Sequence, residues 1–154
     1  MGFAGRGEMI PNDDCYCEID PSGAKDRYGI PTLKFHWKWS EHEINQARHM
    51  QATFQDIIEA MGGRVTSRRH EDGKDAIAKP GEIIHEVGGA MMGHDPEKSV
   101  VNQFCQAHEV DNLFVTDGAC FVSNADKNPT LSIMAIAWRS ADYLIEQLNQ
   151  KAIA

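Results

Sequence analysis

Apolar residues recur at every second position in two short stretches near the start of the chain. Cys15, Cys17 and Ile19 form the first alternation, and a longer one covers residues 33–39. Successive side chains of a β-strand point to opposite faces, so this period predicts two strands. The second strand is expected to have one buried and one wetter face. Its buried face would carry Leu33, Phe35, Trp37 and Trp39.

A helical period begins directly after the second strand. Ser40 and Glu43 have the spacing of a capping box, in which each side chain satisfies a free amide of the first helical turn. Apolar residues then recur at spacings of three and four until Gly62-Gly63, which supplies a stop. The pattern predicts an amphipathic helix over residues 41–61. Its apolar stripe consists of Ala47, Met50, Phe54, Ile57 and Met61.

The second half of the chain predicts two short strands and a closing helix. The apolar runs at residues 83–87 and 113–115 are read as the strands. Asn128 is a good N-cap, and Pro129 fits the first helical position, where no amide hydrogen is needed. We expect the N-terminal half of this helix to be buried and its C-terminal half to lie at the surface. Its apolar stripe consists of Leu131, Met134, Trp138, Ala141, Ile145 and Leu148.

These elements predict an α+β chain, with a small mixed or antiparallel sheet and two long amphipathic helices. The length of 154 residues agrees with about one ordinary domain. Within one compact fragment we expect two parts, a strand-helix unit at residues 1–80 and a C-terminal unit at residues 81–154.

Composition and charge narrow the classes of function. The chain is 42% hydrophobic and 25% charged, which excludes a disordered chain or a disulfide miniprotein. Its formal charge is -8, and binding to nucleic acid or anionic lipid needs clustered positive charge, so neither is expected. No stretch approaches the ~20 apolar residues of a spanning helix, so no membrane insertion is expected.

The cysteines and the N-terminus bear on metal binding and on compartment. Four cysteines are too few for a disulfide framework, and the Cys15-x-Cys17 pair lacks further ligands at zinc spacing. Buried free thiols are the simpler interpretation, and no metal site is expected. The N-terminus lacks the regions of a secretory signal. A cytoplasmic location is therefore the default, and the periplasm stays open if an export signal precedes this chain.

His85 stands apart among the seven histidines. It is followed closely by Gly88-Gly89, and glycines beside a strand end let a backbone or a flat ligand approach closely. A core or turn histidine is nevertheless the simpler interpretation of this pattern alone. The helix start at residues 128–130 can stabilise an anion, and Asp117-Gly118 marks another strand end. A cap and a turn explain these two features equally well.

Three motifs taken together change that interpretation. They are His85-x-x-Gly88-Gly89-x-x-Met92-Gly93-x-Asp95-Pro96, Asn112-Leu113-Phe114-Val115-x-Asp117-Gly118-Ala119 and Asn128-Pro129-Thr130-Leu131-Ser132-Ile133-x-Ala135. Their order and spacing resemble the C-terminal signature of the glucose-methanol-choline (GMC) family of flavoenzymes. The strand and helix upstream look like the substrate domain of that family, so the resemblance covers most of the chain. Gly89 stands where many members carry Thr, which looks more like the sugar and polyol dehydrogenase branches.

The resemblance implies a catalytic pair. His85 matches the catalytic histidine, which accepts the hydroxyl proton of an alcohol substrate, and histidine is suited to this role near neutral pH. Asn128 matches the second active-site position, where an amide can hydrogen-bond the substrate oxygen. Loss of the hydroxyl proton pushes hydride from carbon to the flavin, so the implied activity is oxidation of a CH–OH group, in a sugar or polyol.

The resemblance also implies FAD as the cofactor. Asp117 and Gly118 match positions that line the chain of the flavin. The helix start at Asn128, Pro129 and Thr130 would face the pyrimidine edge of the flavin, where negative charge builds as hydride arrives. Preorganised dipoles at this position would stabilise that charge.

One expected motif is missing. A Rossmann N-terminal region would carry a G-x-G-x-x-G turn that holds the dinucleotide pyrophosphate. The nearest match, at residues 2–7, has no strand before it and no helical pattern after it. The chain therefore looks like the last quarter of an enzyme, and we expect it to bind flavin weakly or not at all and to be inactive alone.

The expected partners are a small alcohol or sugar substrate, the N-terminal FAD-binding region and an electron-acceptor protein. An alternative is a non-catalytic, free-standing binding or interaction module derived from the same fold. Intact His85 and Asn128 favour the enzyme fragment. A fragment is also expected to expose apolar surface where the rest of the enzyme would dock, whereas a module is not.

Overall fold

The computed structural model describes residues 2–79 and 81–150. Within them it confirms the α+β class, with a small antiparallel sheet and two long helices. A 3-10 helix at Gly118–Cys120, here called the Gly118 turn, belongs to the site described below. The remaining elements are β1 (Tyr16–Ile19), β2 (Leu33–His36), α1 (Glu41–Ala60), a 3-10 helix at Lys74–Ala76 and α2 (Thr130–Asn149).

The chain divides into two compact units, Met1–Ile84 and His85–Ala154. The first unit contains β1, β2 and α1, and the second contains the Gly118 turn and α2. The expected boundary between residues 80 and 81, and the expectation of one compact fragment, stay predictions.

β1 and β2 form an antiparallel pair in which Cys17 lies opposite Phe35. The predicted strand over residues 33–39 is shorter in the structure, since it ends at His36. The prediction that its apolar face is buried is wrong, because Leu33 and Phe35 are 56% and 64% exposed. Within the described residues the sheet has only these two strands, and no second layer covers either face. Cys17 is exposed as well, so the predicted burial of its thiol is also wrong.

α1 begins as the capping box predicts. The Ser40 side chain accepts a hydrogen bond from His42 N, and Glu43 Oε2 accepts one from Ser40 N at 2.7 Å. Burial raises the pKa of Glu43, but hydrogen bonds from Ser40 and Ile10 outweigh it and hold the pKa below its ordinary value. After the helix, Gly62 has φ 79, which glycine adopts without the steric cost of a Cβ.

The segment from Phe3 to Ile10, here called the N-terminal strap, lies along α1. Phe3 stacks on Phe54 with 5.4 Å between ring centroids, and Ile10 N donates to Glu43 Oε1 at 3.0 Å. The glycines between them allow a close approach of the strap to the helix. A Cβ built on Gly5 would lie 2.5 Å from Met50 Sδ, and one on Gly7 would lie 2.5 Å from Gln46 Oε1.

The two short strands predicted for the second half of the chain do not form in the described residues, so that prediction is wrong. Residues 83–87 pair with no strand, and His85 has φ 85, which is incompatible with an extended chain. Phe114 makes only an isolated bridge with Gln106.

The core of the second unit contains Val101, Cys105 and Cys120, all of which are wholly buried. α2 packs against this core through Ile136 and through Ser140, whose Oγ donates to Phe104 O at 2.7 Å. The partly buried side chains around the core are Met92, Val115, Phe121 and Ile136.

The predicted burial of the N-terminal half of α2 is wrong, because Leu131 and Trp138 are 79% and 73% exposed. The first half of the helix is apolar on all sides, and its core-facing side is the one with Ile136 and Ser140. The opposite side forms a surface that we call the α2 outer face. The α2 outer face consists of Leu131, Met134, Trp138, Ile145 and Leu148.

No helix within the described residues is both long and apolar enough to cross a membrane.

Candidate active site

His85 lies half-buried at the start of the second unit. Its φ of 85 is in the left-handed region, which costs a residue with a Cβ of the order of 1–3 kcal/mol. Gly88 follows with φ 87, and we call residues 85–88 the His85 turn. Such strain persists only where the surrounding structure fixes the backbone, so the main chain at His85 is held in place by its neighbours.

The segment that follows the His85 turn is held from two sides. Ala90 N donates to Ala119 O at 2.9 Å, and Met92 N donates to Cys120 O at 2.9 Å. On its other side Met92 forms a bridge with Val101. These bonds tie the segment both to the Gly118 turn and to the buried core.

Gly118 is the point at which three parts of the predicted site meet. A Cβ built on Gly118 would lie 3.4 Å from Glu86 O and 3.6 Å from Ile133 Cδ1. Glu86 directly follows His85, and Ile133 N donates to Pro129 O at 2.9 Å in the first turn of α2. The structure therefore brings the backbone beside His85, the Gly118 turn and the start of α2 together.

Asp117 caps the Gly118 turn. Its Oδ1 accepts a hydrogen bond from Ala119 N at 2.8 Å, and its backbone oxygen accepts one from Cys120 Sγ at 3.0 Å. The carboxylate is nevertheless exposed at the surface. Asp117 thus has a structural role that was not predicted, in addition to the cofactor role that the resemblance implies.

The start of α2 differs from the start of α1. Pro129 occupies the N-cap position without a side-chain hydrogen bond, so the prediction that Asn128 is the N-cap is wrong. Its first turn contains no acidic residue, whereas the first turn of α1 contains Glu41 and Glu43. The free amides of a helix start carry a partial positive charge. This end of α2 therefore suits an electron-rich group.

The side chains of His85 and Asn128 both remain free for a ligand. Among residues 2–79 and 81–150, neither side chain has a hydrogen-bond partner, and no bond joins the two. Asn128 and Thr130 are exposed, while Pro129 is buried.

The part of the chain that the structure describes has no cluster of three or more His, Cys, Asp or Glu residues that could hold a metal ion.

Two side-chain pairs near this region were not predicted. Cys105 Sγ donates to Cys120 Sγ at 3.8 Å, and Ser99 Oγ lies 3.0 Å from His108 Nε2. Ser99 Oγ donates to Asp95 O at 2.7 Å, so its proton is already engaged and the Ser–His pair is a structural clip. Neither pair has a sequence spacing that would have indicated it.

Comparisons with known proteins identify the family. A family model described as GMC oxidoreductase matches residues 11–137. The chain is 32% identical to 2-methyl-1,2-propanediol dehydrogenase of Mycolicibacterium austroafricanum, over 93% of this chain and 25% of that protein. It is 32% identical to the gluconate 2-dehydrogenase flavoprotein of Pantoea cypripedii, over 86% and 22%. It is also 32% identical to the fructose dehydrogenase large subunit of Gluconobacter japonicus, over 82% and 22%.

The chain spans only about a quarter of the length of these relatives. All three motifs that carry the resemblance begin within the matched residues, and the meeting point at Gly118 lies among them. The chain therefore belongs to the GMC oxidoreductase family.

Proposed function

We propose that this chain is the C-terminal part of an FAD-dependent oxidoreductase that oxidises a CH–OH group of a small alcohol, sugar or polyol. The observation that carries the proposal is the family match over residues 11–137, which contains His85 and the Gly118 turn. The names of the relatives support the substrate class, since they denote dehydrogenases of a diol, of gluconate and of fructose.

His85 is the proposed base. Its ring is half-buried and has no hydrogen-bond partner among the described residues, so an imidazole nitrogen is available to a substrate hydroxyl. The strained backbone of the His85 turn fixes the point from which the imidazole extends, and proton transfer requires the ring to reach hydrogen-bond distance of the hydroxyl. The hydroxyl proton would pass to His85 as the carbon loses hydride.

Asn128 is the proposed second contact to the substrate. Its side chain is exposed and unbonded within the described residues, and it directly precedes the buried Pro129. The amide NH₂ can donate to the substrate oxygen, and it does not compete with His85 for the proton. In this role Asn128 orients the hydroxyl and His85 removes its proton.

FAD fits the residues that this chain supplies. The uncapped first turn of α2, with no acidic residue, would hold an electron-rich edge of the flavin through its free amides. Asp117 and Gly118 would line the chain of the cofactor from the exposed side of the Gly118 turn. When bound, FAD supplies the acceptor for hydride. Since the motif for its pyrophosphate is missing from this sequence, we propose that the chain alone binds FAD weakly.

The α2 outer face supports a larger parent protein as partner. Leu131 and Trp138 are more than 70% exposed, and they lie on one side of the helix with Met134, Ile145 and Leu148. A free-standing soluble module rarely leaves such a surface uncovered. We therefore propose that the flavin-binding part of the parent packs on this face, and that a non-catalytic module is the weaker alternative.

An electron-acceptor protein is the further proposed partner. One relative is named as the large subunit of fructose dehydrogenase, so that enzyme has more than one kind of subunit. By analogy the parent of this chain would pass electrons from reduced flavin to a partner subunit, with oxygen or a quinone as the alternative acceptors.

The test is to capture the native protein from its source cells with an antibody against this chain. We expect a polypeptide several times heavier than 17.2 kDa that releases flavin on acid treatment and reduces a dye acceptor when an alcohol or sugar is added. A band at 17.2 kDa without flavin would contradict the proposal and favour the non-catalytic module.

A further inference from the structure

We propose that Cys105 and Cys120 form an intramolecular disulfide when the chain folds in a thiol-oxidising environment. The two sulfur atoms lie 3.8 Å apart, and both residues are wholly buried in the core of the second unit. The resulting bond would tie the Gly118 turn, which contains Cys120, to the loop that contains Cys105.

The backbone at Cys105 is held in a strained conformation. Cys105 has φ 62, a left-handed conformation that disfavours residues with a Cβ. Its amide donates to Asn102 O, and its carbonyl accepts from Val115 N, both at 2.9 Å. These bonds fix the main chain from which the thiol reaches Cys120, and a glycine would adopt the same conformation without strain but would supply no thiol.

Conversion to a disulfide leaves no buried acceptor without a partner. In the reduced state Cys105 Sγ donates to Cys120 Sγ, which donates to Asp117 O at 3.0 Å. Oxidation removes both thiol hydrogens, but Asp117 O still accepts from Cys120 N at 3.4 Å. The sulfur atoms must approach from 3.8 Å to about 2 Å, the length of a disulfide bond, and the two side chains can share this movement.

The pair is protected once the chain is folded. Burial raises the pKa of the Cys120 thiol to about 12, with further contributions from Cys105 and Asp117. The thiolate is the attacking species in thiol–disulfide exchange, so Cys120 should attack slowly in the folded chain at neutral pH and faster as the pH rises. Both residues are also wholly buried, so the pair should oxidise while the chain folds and should resist exchange with solution thiols and disulfides afterwards.

The reaction has a simple balance. Two thiols of the chain lose two electrons and two protons, and a low-molecular-weight disulfide such as oxidised glutathione takes them up to give two molecules of reduced thiol. A mixed disulfide with one cysteine is the intermediate, and the thiolate of the other cysteine displaces the reduced glutathione.

The proposed disulfide does not depend on the proposed function, since its test measures thiols and stability only.

The test uses the full chain with Cys15→Ser and Cys17→Ser, so that only the buried pair remains. The reduced, denatured protein is refolded in a buffer of oxidised and reduced glutathione and then alkylated under denaturing conditions. We expect a monomer that takes up no alkylating agent, has a mass lower by two hydrogens, and yields a peptide linking Cys105 to Cys120. Two alkylated thiols, or disulfide-linked dimers as the main product, would overturn the proposal.

Single variants Cys105→Ser and Cys120→Ser in the same background are the matched controls. Each keeps only one of the two buried cysteines, so it should remain without an intramolecular disulfide. The disulfide form should also unfold at a higher urea concentration than its reduced form, because the cross-link restricts the unfolded chain. An unchanged or lower urea midpoint would show that the bond strains the fold, and would count against a native role for the pair.

Discussion

Gly118 lies directly against the backbone oxygen of Glu86. The distance from that oxygen to the position that a Cβ on Gly118 would take is 3.4 Å. Because Glu86 follows His85, a side chain larger than that of alanine at position 118 would press on the turn that holds the proposed base. Ile133 closes the same space from α2, at 3.6 Å. The geometry of the site therefore depends on the absence of bulk at this one residue.

Gly118→Val should destabilise the chain by about 1–3 kcal/mol, because a branched side chain overfills the space between Glu86 and Ile133. Gly118→Ala is the matched control and should be nearly neutral, since its Cβ would make ordinary contacts. Urea unfolding of both variants measures the difference. Equal stability of the two would show that this contact does not restrict the His85 turn.

His85→Gly should leave a more stable chain than His85→Ala, by about 1 kcal/mol, because only glycine relieves the left-handed strain. Glycine is the less stable of the two residues at ordinary positions, so the expected order is reversed here. Thermal or urea unfolding of the two variants tests it. If His85→Ala is as stable as His85→Gly, the backbone at this position is not strained.

In the full-length parent, both His85 variants should lower kcat by about 10²–10⁴-fold, the usual contribution of a general base. His49→Ala is the control, since His49 is exposed on α1 in the first unit, and it should retain activity. Steady-state rates with an alcohol substrate and a dye acceptor give the comparison. An active His85→Ala enzyme would remove His85 from the proposed mechanism.

The isolated chain should self-associate or bind an apolar dye through the α2 outer face. Trp138→Gln combined with Ile145→Gln should reduce both effects, because these side chains are exposed and lie away from the proposed site. Asp56→Asn, an exposed change on α1, is the control. Sedimentation velocity and dye fluorescence measure the response. A monodisperse wild-type chain that binds no dye would instead support a free-standing module.

Glu43 should make the first unit sensitive to acid. Its pKa is lower in the folded chain than the ordinary value of 4.5, because hydrogen bonds from Ser40 and Ile10 outweigh the cost of burial. Its ionised form therefore stabilises the fold above pH 4.5, and this stabilisation is lost as the pH falls through the lower folded-state pKa. Glu43→Gln should be less stable at neutral pH and should lose less stability on acidification.

The exposed Glu41→Gln is the control for that measurement, since Glu41 is adjacent to the same helix start but is not buried. Unfolding by urea at a series of pH values gives both curves. Parallel curves for Glu43→Gln and the wild-type chain would show that another group is responsible for the acid sensitivity.

Local features of this fold could be predicted from the sequence, and tertiary ones could not. The capping box of Ser40 and Glu43 is complete within four residues, so its spacing alone predicts the start of α1. The buried face of α2 depends on Val101 and Cys105, which are distant in sequence. Because the first half of α2 is apolar on all sides, its period does not distinguish the face with Ser140 from the face with Trp138.

The candidate site was likewise predictable only in part. The family motifs named His85, Asp117 and Asn128, but no spacing indicated that Gly118 joins the parts of the chain that contain them. The left-handed backbone at His85 could not be predicted either, because a glycine in the sequence suggests a positive φ and a histidine does not. Both features arise from contacts between residues some 30 positions apart, such as Glu86 and Gly118.

The N-terminal strap and the last turns of α2 both lie outside residues 11–137, the part that carries the family match. A polypeptide trimmed to those residues would keep every recognisable motif. It would nevertheless lose Phe3 from the ring of Phe54, and it would lose the anchor that Ser140 provides to Phe104. The region by which relatives are recognised is therefore shorter than the region whose contacts hold each of the two units together internally.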